Sequence, residues 1–245
     1  GGVDSMVMLN LFHQCGFNYA IAHCNFHLRG NESDEDEAFV RNAAKMFNAE
    51  IFVSHFNTTQ YAVENRISIQ VAARNLRYSW FAELCETKGF DAIAVAHNSN
   101  DVAETVLINL VPGTGIKGRT GIKPKGNSTI RPLLFASRKE IEQFAFAENI
   151  ESRTDSSNSD TKYTRNRIRN IIIPEFEELN SAFVRNVVST SHYASQAWEV
   201  ACEEIENFRK KVRTQVDNET HYSIEMLKEY RFTQLFLAEE FIPNG

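Results

Sequence analysis

Gly1-Gly2-Val3-Asp4-Ser5 sets two glycines, a carboxylate and a hydroxyl directly before an amphipathic segment, Ser5 to Cys15. Glycine lets a backbone approach a ligand closely. A helix starting just behind such a loop aims free N–H groups and a positive dipole end at whatever the loop holds. That chemistry suits phosphate. The spacing is not the Walker pattern, because no Gly-Lys-Ser/Thr follows. A plain turn ahead of a helix remains the alternative on these residues alone.

Other constellations lie further along. Ala22-His23-Cys24-Asn25-Phe26-His27-Leu28-Arg29-Gly30 carries two histidines and an arginine at the end of an apolar run. Arg74 and Arg77 fall three positions apart, on one helical face, where they could clamp a phosphate or carboxylate. His97 ends another apolar run, and Asp101 and Glu104 share a face of the helix expected behind it. Two carboxylates there could hold an ammonium group, and one could act as a base. They could equally complement the helix dipole. Gly113-Thr114-Gly115-Ile116-Lys117-Gly118, Arg131-Pro132-Leu133-Leu134, Asp155-Ser156-Ser157-Asn158 and the run from Tyr163 to Arg169 complete the set.

The elements that must position these groups are read from periodicity. Residues 19–24, 50–56 and 91–96 are strand-length apolar runs. Ser33 with Asp36 resembles a capping box for the first helix after residue 30. One long helix is expected over about 60–87, ended by Gly89, and another over about 100–110, stopped by Pro112 and Gly113. Ser137 should cap a helix to about Glu148, and Pro174 should break or kink one over 163–178. Strands alternating with helices indicate an α/β fold, a doubly wound parallel sheet with its ligands at the carboxyl ends of the strands. The opening loop, His23 to Arg29, and His97 to Asp101 all fall there. From Ser181 to about Gln215 the pattern is helical without strands, which divides the chain into a domain at 1–179 and a mainly helical second region at 180–245. The start inside a loop, with no initiator Met, reads as a fragment lacking its first strand.

Composition bounds the partners. The 245 residues are 42% hydrophobic and 24% charged, as in globular proteins. No apolar run is long enough to span a membrane and no leader is recognisable. Four cysteines without a C-x-x-C pair suggest reduced thiols and a cytoplasmic location. The net charge of -6 disfavours indiscriminate nucleic-acid binding, yet Thr105 to Lys139 contains seven Lys and Arg residues and no acid. Lys162, Arg165, Arg167 and Arg169 form a second basic cluster. One face could therefore bind a polyanion.

In their order and spacing these motifs resemble the tRNA(Ile)-lysidine synthase family of the PP-loop, or N-type, ATP pyrophosphatases. The resemblance covers roughly residues 1–180, and the opening pentapeptide matches that superfamily's phosphate loop without its leading Ser. It implies ATP-dependent ligation of free L-lysine to C2 of the wobble cytidine in a CAU-anticodon tRNA(Ile), through an adenylated tRNA. Codon reading would change from AUG to AUA. By the same resemblance Gly1, Gly2, Val3, Asp4, Ser5, Ala22 and His23 would contact ATP. Asp4 could assist Mg²⁺. Arg77, His97 and Arg169 would join Asp4 in catalysis, Asp101 and Glu104 would bind lysine, and Arg29, Lys117, Arg119 and Arg165 would contact tRNA. A homodimer is left open.

The chain departs from the family pattern at three places. Asn100 stands where a second acid is usual, Asn98 where His is frequent, and Val102 where Gln is frequent. Two other readings compete. One is a tRNA thiolase of the same superfamily, disfavoured by the lack of paired cysteines. The other is a tRNA-binding module with a decayed ATP loop, disfavoured by intact Asp4, Asp101 and Glu104.

Overall fold

The computed structural model describes residues 1–126, 128–153 and 164–241. Helix α1 (Val3–Gln14) begins at the third residue, with Gly2 in extended conformation at its N-cap. Strand β1 (Ala20–Asn25) then pairs in parallel with β2 (Glu50–His55), joined through α2 (Asn31–Met46). A second parallel pair, β3 (Ile93–Ala94) with β4 (Thr129–Ile130), brackets α5 (Ser99–Leu110). Helix α6 (Arg138–Ala147) follows, capped by Ser137 with Glu140 in a reciprocal box. The fold is thus α/β with parallel strands, and their carboxyl ends carry the singled-out segments. Among the described residues no helix is long and apolar enough to cross a membrane.

Three local expectations are corrected. The pattern over 60–87 is two helices, α3 (Thr58–Asn65) and α4 (Ile69–Lys88). Arg66 turns left-handed after α3, and the Ser68 hydroxyl accepts from Val71 N to start α4. Gly89, at φ 72°, does end α4. Ser33 and Asp36 form no capping box. Helix α2 starts at Asn31 behind Gly30, the Ser33 hydroxyl accepts from Arg29 N, and Asp36 binds Arg29 instead. The third strand is only two residues long: past Ala94 one more ladder bond forms, Val95 N to Ile130 O, and His97 N then turns back to Val95 O.

Beyond residue 164 the chain is mostly helical. A short α7 (Thr164–Arg167) runs into a π-helical turn at Ile168–Ile172, then α8 (Ile173–Leu179) with Pro174 in its first turn. Pro is tolerated there, since its missing N–H lies at a helix start. The long α9 (Phe183–Val212) feeds a hairpin of β5 (Arg213–Val216) and β6 (Glu219–Tyr222), then α10 (Ile224–Glu229) and α11 (Thr233–Phe241). Sequence reading missed this hairpin, although Asp217 with φ 51° supplies the left-handed residue a tight turn needs.

Three apolar clusters hold the elements. Val7 of α1 packs on Leu133, Ala136 and two residues of α6, Ile141 and Ala145. Ala103 of α5 meets Ile168, Ile173 and Val184, so α9 shares a core with α5 across residue 179. Trp198, Ile205, Phe208, Val212 and Phe236 close the C-terminal end. A fully buried Ile or Phe contributes about 1.5–3 kcal/mol.

Candidate active site

The opening loop needs its first glycine for space. A Cβ on Gly1 would meet Phe39 at 2.9 Å. Gly1 O accepts from Arg153 N, and Gly2 O accepts from Met6 N, which fixes the helix start. No side chain caps α1 among the described residues. The first-turn N–H groups, those of Val3, Asp4 and Ser5, are therefore the kind of donors that receive an anion.

Asp4 ties this loop to α5. Its Oδ1 accepts from Asn98 Nδ2 at 2.9 Å and its Oδ2 from Arg138 Nη1 at 2.5 Å. Asn98 is also the N-cap of α5, its side chain accepting from Asn100 N and Asp101 N, while Asp101 Oδ2 accepts from Asn98 N. Asn100 accepts from Arg138 N, locking α6 to the same corner. Two departures from the family pattern, Asn98 and Asn100, thus have structural partners here. Neither Asn98 nor Arg138 was given a site role from sequence. Their signals were an N-cap residue type before α5 and a basic residue one position past a second cap.

Asp101 and Glu104 do share a face, and two arginines cover it. Glu104 is 0% exposed. It accepts from Arg165 Nε at 3.0 Å, Arg169 Nε at 2.5 Å and Arg169 Nη2 at 3.0 Å. Arg169 Nη2 also donates to Asp101 Oδ1 at 3.1 Å, and Arg165 Nη2 to Thr105 Oγ1 at 3.2 Å. A buried carboxylate needs such partners, because unpaired it would carry a large desolvation penalty. Burial alone would lower the Arg169 guanidinium, but its bonds to Glu104 and the charges of Glu104, Asp101 and Asp4 raise it. The π-helical turn carries Arg169, and such turns are common at functional sites.

His97 stands at the edge of this group. Its Nδ1 accepts from Arg131 Nε at 3.1 Å. Burial lowers its pKa to about 4; Asp101 opposes the shift, while Arg131, Arg165 and Arg74 add to it. His23, on β1 beside Ala22, is likewise lowered to about 4 by burial, and its Nε2 is buried without a hydrogen-bond partner. Both rings are neutral at pH 7.

Other singled-out residues make contacts elsewhere. Arg77 stacks over Phe26 at 5.4 Å and Arg74 over Tyr78 at 4.9 Å. Arg29 pairs with Asp36 at 2.6 Å and with Glu32 at 3.7 Å. Lys117 binds Glu239 at 2.9 Å and lies over Trp198. Arg119 is exposed in a 3-10 turn, Lys117–Arg119. The Asp155-Ser156-Ser157-Asn158 motif and Tyr163 fall outside the described residues. No group of three or more His, Cys, Asp or Glu among the described residues could hold a metal ion. Asp4 could serve a hard cation only by giving up part of its contact with Asn98 or Arg138.

The uncapped helix start, the parallel strands and the crowded strand ends define an α/β domain with its candidate site at the carboxyl ends of the strands. The family described as "PP-loop domain" matches residues 1–176, and the chain belongs to that family. It is 39% identical over 245 residues to the tRNA(Ile)-lysidine synthase of Bacteroides thetaiotaomicron, covering 100% of this chain and 57% of that protein. It is 45% identical over 204 residues to the enzyme of the same name from Thermosipho africanus, covering 82% and 47%. The chain therefore spans about half the length of these curated relatives. Among solved structures it is similar to a U34-tRNA thiolase from Methanococcus maripaludis, described with its [4Fe-4S] cluster. The TM-score is 0.65 at 18% identity, over 79% of this chain and 69% of that one. At that identity the likeness speaks for the fold.

Proposed function

We propose that this chain carries the adenylating and lysine-transferring site of a tRNA(Ile)-lysidine synthase. Residues 1–179 would be the PP-loop catalytic domain and 180–245 a helical region packed on it. The observation that carries the reading is the continuous hydrogen-bonded path Asp4–Asn98–Asp101–Arg169–Glu104, which joins the phosphate loop to the carboxylate pair. The named relatives, at 39–45% identity, support the same reading.

In this mechanism the triphosphate lies against the N-terminus of α1, with Gly1 to Ser5 around it and Ala22 and His23 beside the nucleotide. Mg²⁺ would be held by Asp4 and the phosphates, and would neutralise phosphate charge. The C2 oxygen of the wobble cytidine of a CAU-anticodon tRNA attacks the α-phosphorus, and pyrophosphate leaves. Arg169 and His97 stabilise negative charge on the transferring group, and Arg77 does so after leaving Phe26. The ε-amine of lysine then attacks C2 and AMP leaves with the C2 oxygen. Asp101 and Glu104 attract the ammonium form, and transfer of its proton to one of these carboxylates frees the nucleophile. Since both carboxylates are covered by Arg165 and Arg169, lysine must displace at least one guanidinium contact. Arg29, Lys117, Arg119 and Arg165 would meet the tRNA backbone. The product pairs with A, which turns an AUG reader into an AUA reader.

The test uses full-length protein, Mg²⁺, unmodified CAU-anticodon tRNA and ATP labelled at the α-phosphate, without lysine. The expected result is pyrophosphate release with label retained on the tRNA. No label on tRNA and no pyrophosphate would contradict the assignment and leave a binding module. Sulfur transfer, the other reading, would show the same adenylation, and labelled lysine added in a second step would then not enter the tRNA.

A further inference from the structure

The bond between Arg131 and His97 has a consequence for proton chemistry. A guanidinium only donates hydrogen bonds. Arg131 Nε donates to His97 Nδ1 at 3.1 Å, so Nδ1 must offer its lone pair and carry no proton. In a neutral imidazole the proton then sits on Nε2. Arg131 itself is held at two further points. Its backbone N donates to Pro124 O at 2.9 Å, and its Nη1 donates to Lys123 O at 2.7 Å. It directly follows β4, whose parallel register with β3 continues through Val95 N to Ile130 O. The sheet therefore delivers both residues to the same edge. His97 Nε2 makes no hydrogen bond to any described residue, yet it is not among the atoms sealed from solvent without a partner.

We infer that Arg131 is a positioning residue that fixes His97 as a neutral imidazole presenting Nε2–H, so that His97 serves the reaction as a hydrogen-bond donor and not as a base. This rests on the proposed adenylation site and specifies how one of its groups works. A preset N–H aimed at an oxygen gaining negative charge stabilises it without any proton transfer. The groups facing the ring are consistent with that role. Three guanidiniums, of Arg131 beyond β4, Arg165 on α7 and Arg74 on α4, oppose a second proton, and Asp101 on α5 favours one. Burial works in the same direction as the arginines.

The experiment is long-range ¹H–¹⁵N correlation of histidine-labelled full-length protein at pH 7, with turnover measured alongside. The wild type should show His97 as the Nε2–H tautomer, and that signal should persist well below pH 6. Arg131→Met should give a mixture of tautomers and lower kcat about 10- to 100-fold, in the range seen when one oxyanion donor is lost, with KM for ATP nearly unchanged. Arg131→Lys, which can still donate to Nδ1, should restore the tautomer and part of kcat. An Nδ1–H tautomer or a charged ring in the wild type would overturn the inference, as would an Arg131→Met protein with unchanged tautomer and kcat. The wild-type spectrum decides the tautomer even if the Met variant fails to fold. It also decides it if no adenylation is found, so failure of the functional reading is read separately.

Discussion

At the scale of single residues, the charged groups are arranged for neutrality in pairs and for uncharged histidines. His23 and His97 both sit at about 4, against an ordinary value of 6.5, because burial penalises the imidazolium. Between pH 6.5 and 4 the unfolded chain therefore binds more protons at these positions than the folded chain does. Stability must rise with pH across that window, and must be lost as pH falls through it. Urea denaturation at steps from pH 7.5 to 4 should show this slope, and His97→Gln should flatten it. A slope unchanged by that substitution would remove His97 as a source. Glu104 was singled out in sequence as half of a carboxylate pair, and its place on the same face as Asp101 was legible from a spacing of three. Its complete burial under Arg165 and Arg169 was not, because those arginines arrive from sixty residues further along the chain.

At the scale of elements, the short strands and their following helices were legible because apolar runs alternate with amphipathic ones. The boundaries that went wrong did so for local reasons. A cap hydroxyl at Ser68 and a left-handed Arg66 divide what periodicity joins. Helix α5 depends most on its cap. Asn98 is 4% exposed and serves two partners at once, the first turn of α5 and Asp4. Asn98→Ala should thus cost about 2 kcal/mol, the upper end for an N-cap loss, read as a shifted midpoint in chemical denaturation. It should also raise KM for ATP, because Asp4 loses one of its two anchors. Loss of stability with unchanged ATP affinity would confine Asn98 to a capping role. The Gly121 turn packs against the same helix, where a Cβ would meet Val102 at 2.8 Å, so the first turn of α5 is held by its cap and by this turn.

At the scale of the whole molecule, the parallel α/β architecture follows from pattern, but the packing of the C-terminal helices on it does not. Val184 of α9 shares a cluster with Ala103 of α5, and Lys117 of the glycine-rich segment reaches Glu239 of α11. Basic surroundings and the family resemblance assigned Lys117 a nucleic-acid role, and no local pattern could place an acid 122 residues away. The structure sets Lys117 against the helical region, whereas Arg119 remains exposed two residues on, in the same turn. The central claim is that the phosphate loop and the Asp101–Glu104 face belong to one ligation site. Its most direct measurement is incorporation of radiolabelled lysine into unmodified CAU-anticodon tRNA by full-length protein with ATP and Mg²⁺, beside Asp101→Asn. The account predicts ATP-dependent label in the tRNA for the wild type. For Asp101→Asn it predicts at least about tenfold less label at limiting lysine, one lost charged contact being worth about 1.5–3 kcal/mol, with tRNA binding kept. No label from the wild type, or equal loss of lysine use and tRNA binding in the variant, would contradict it.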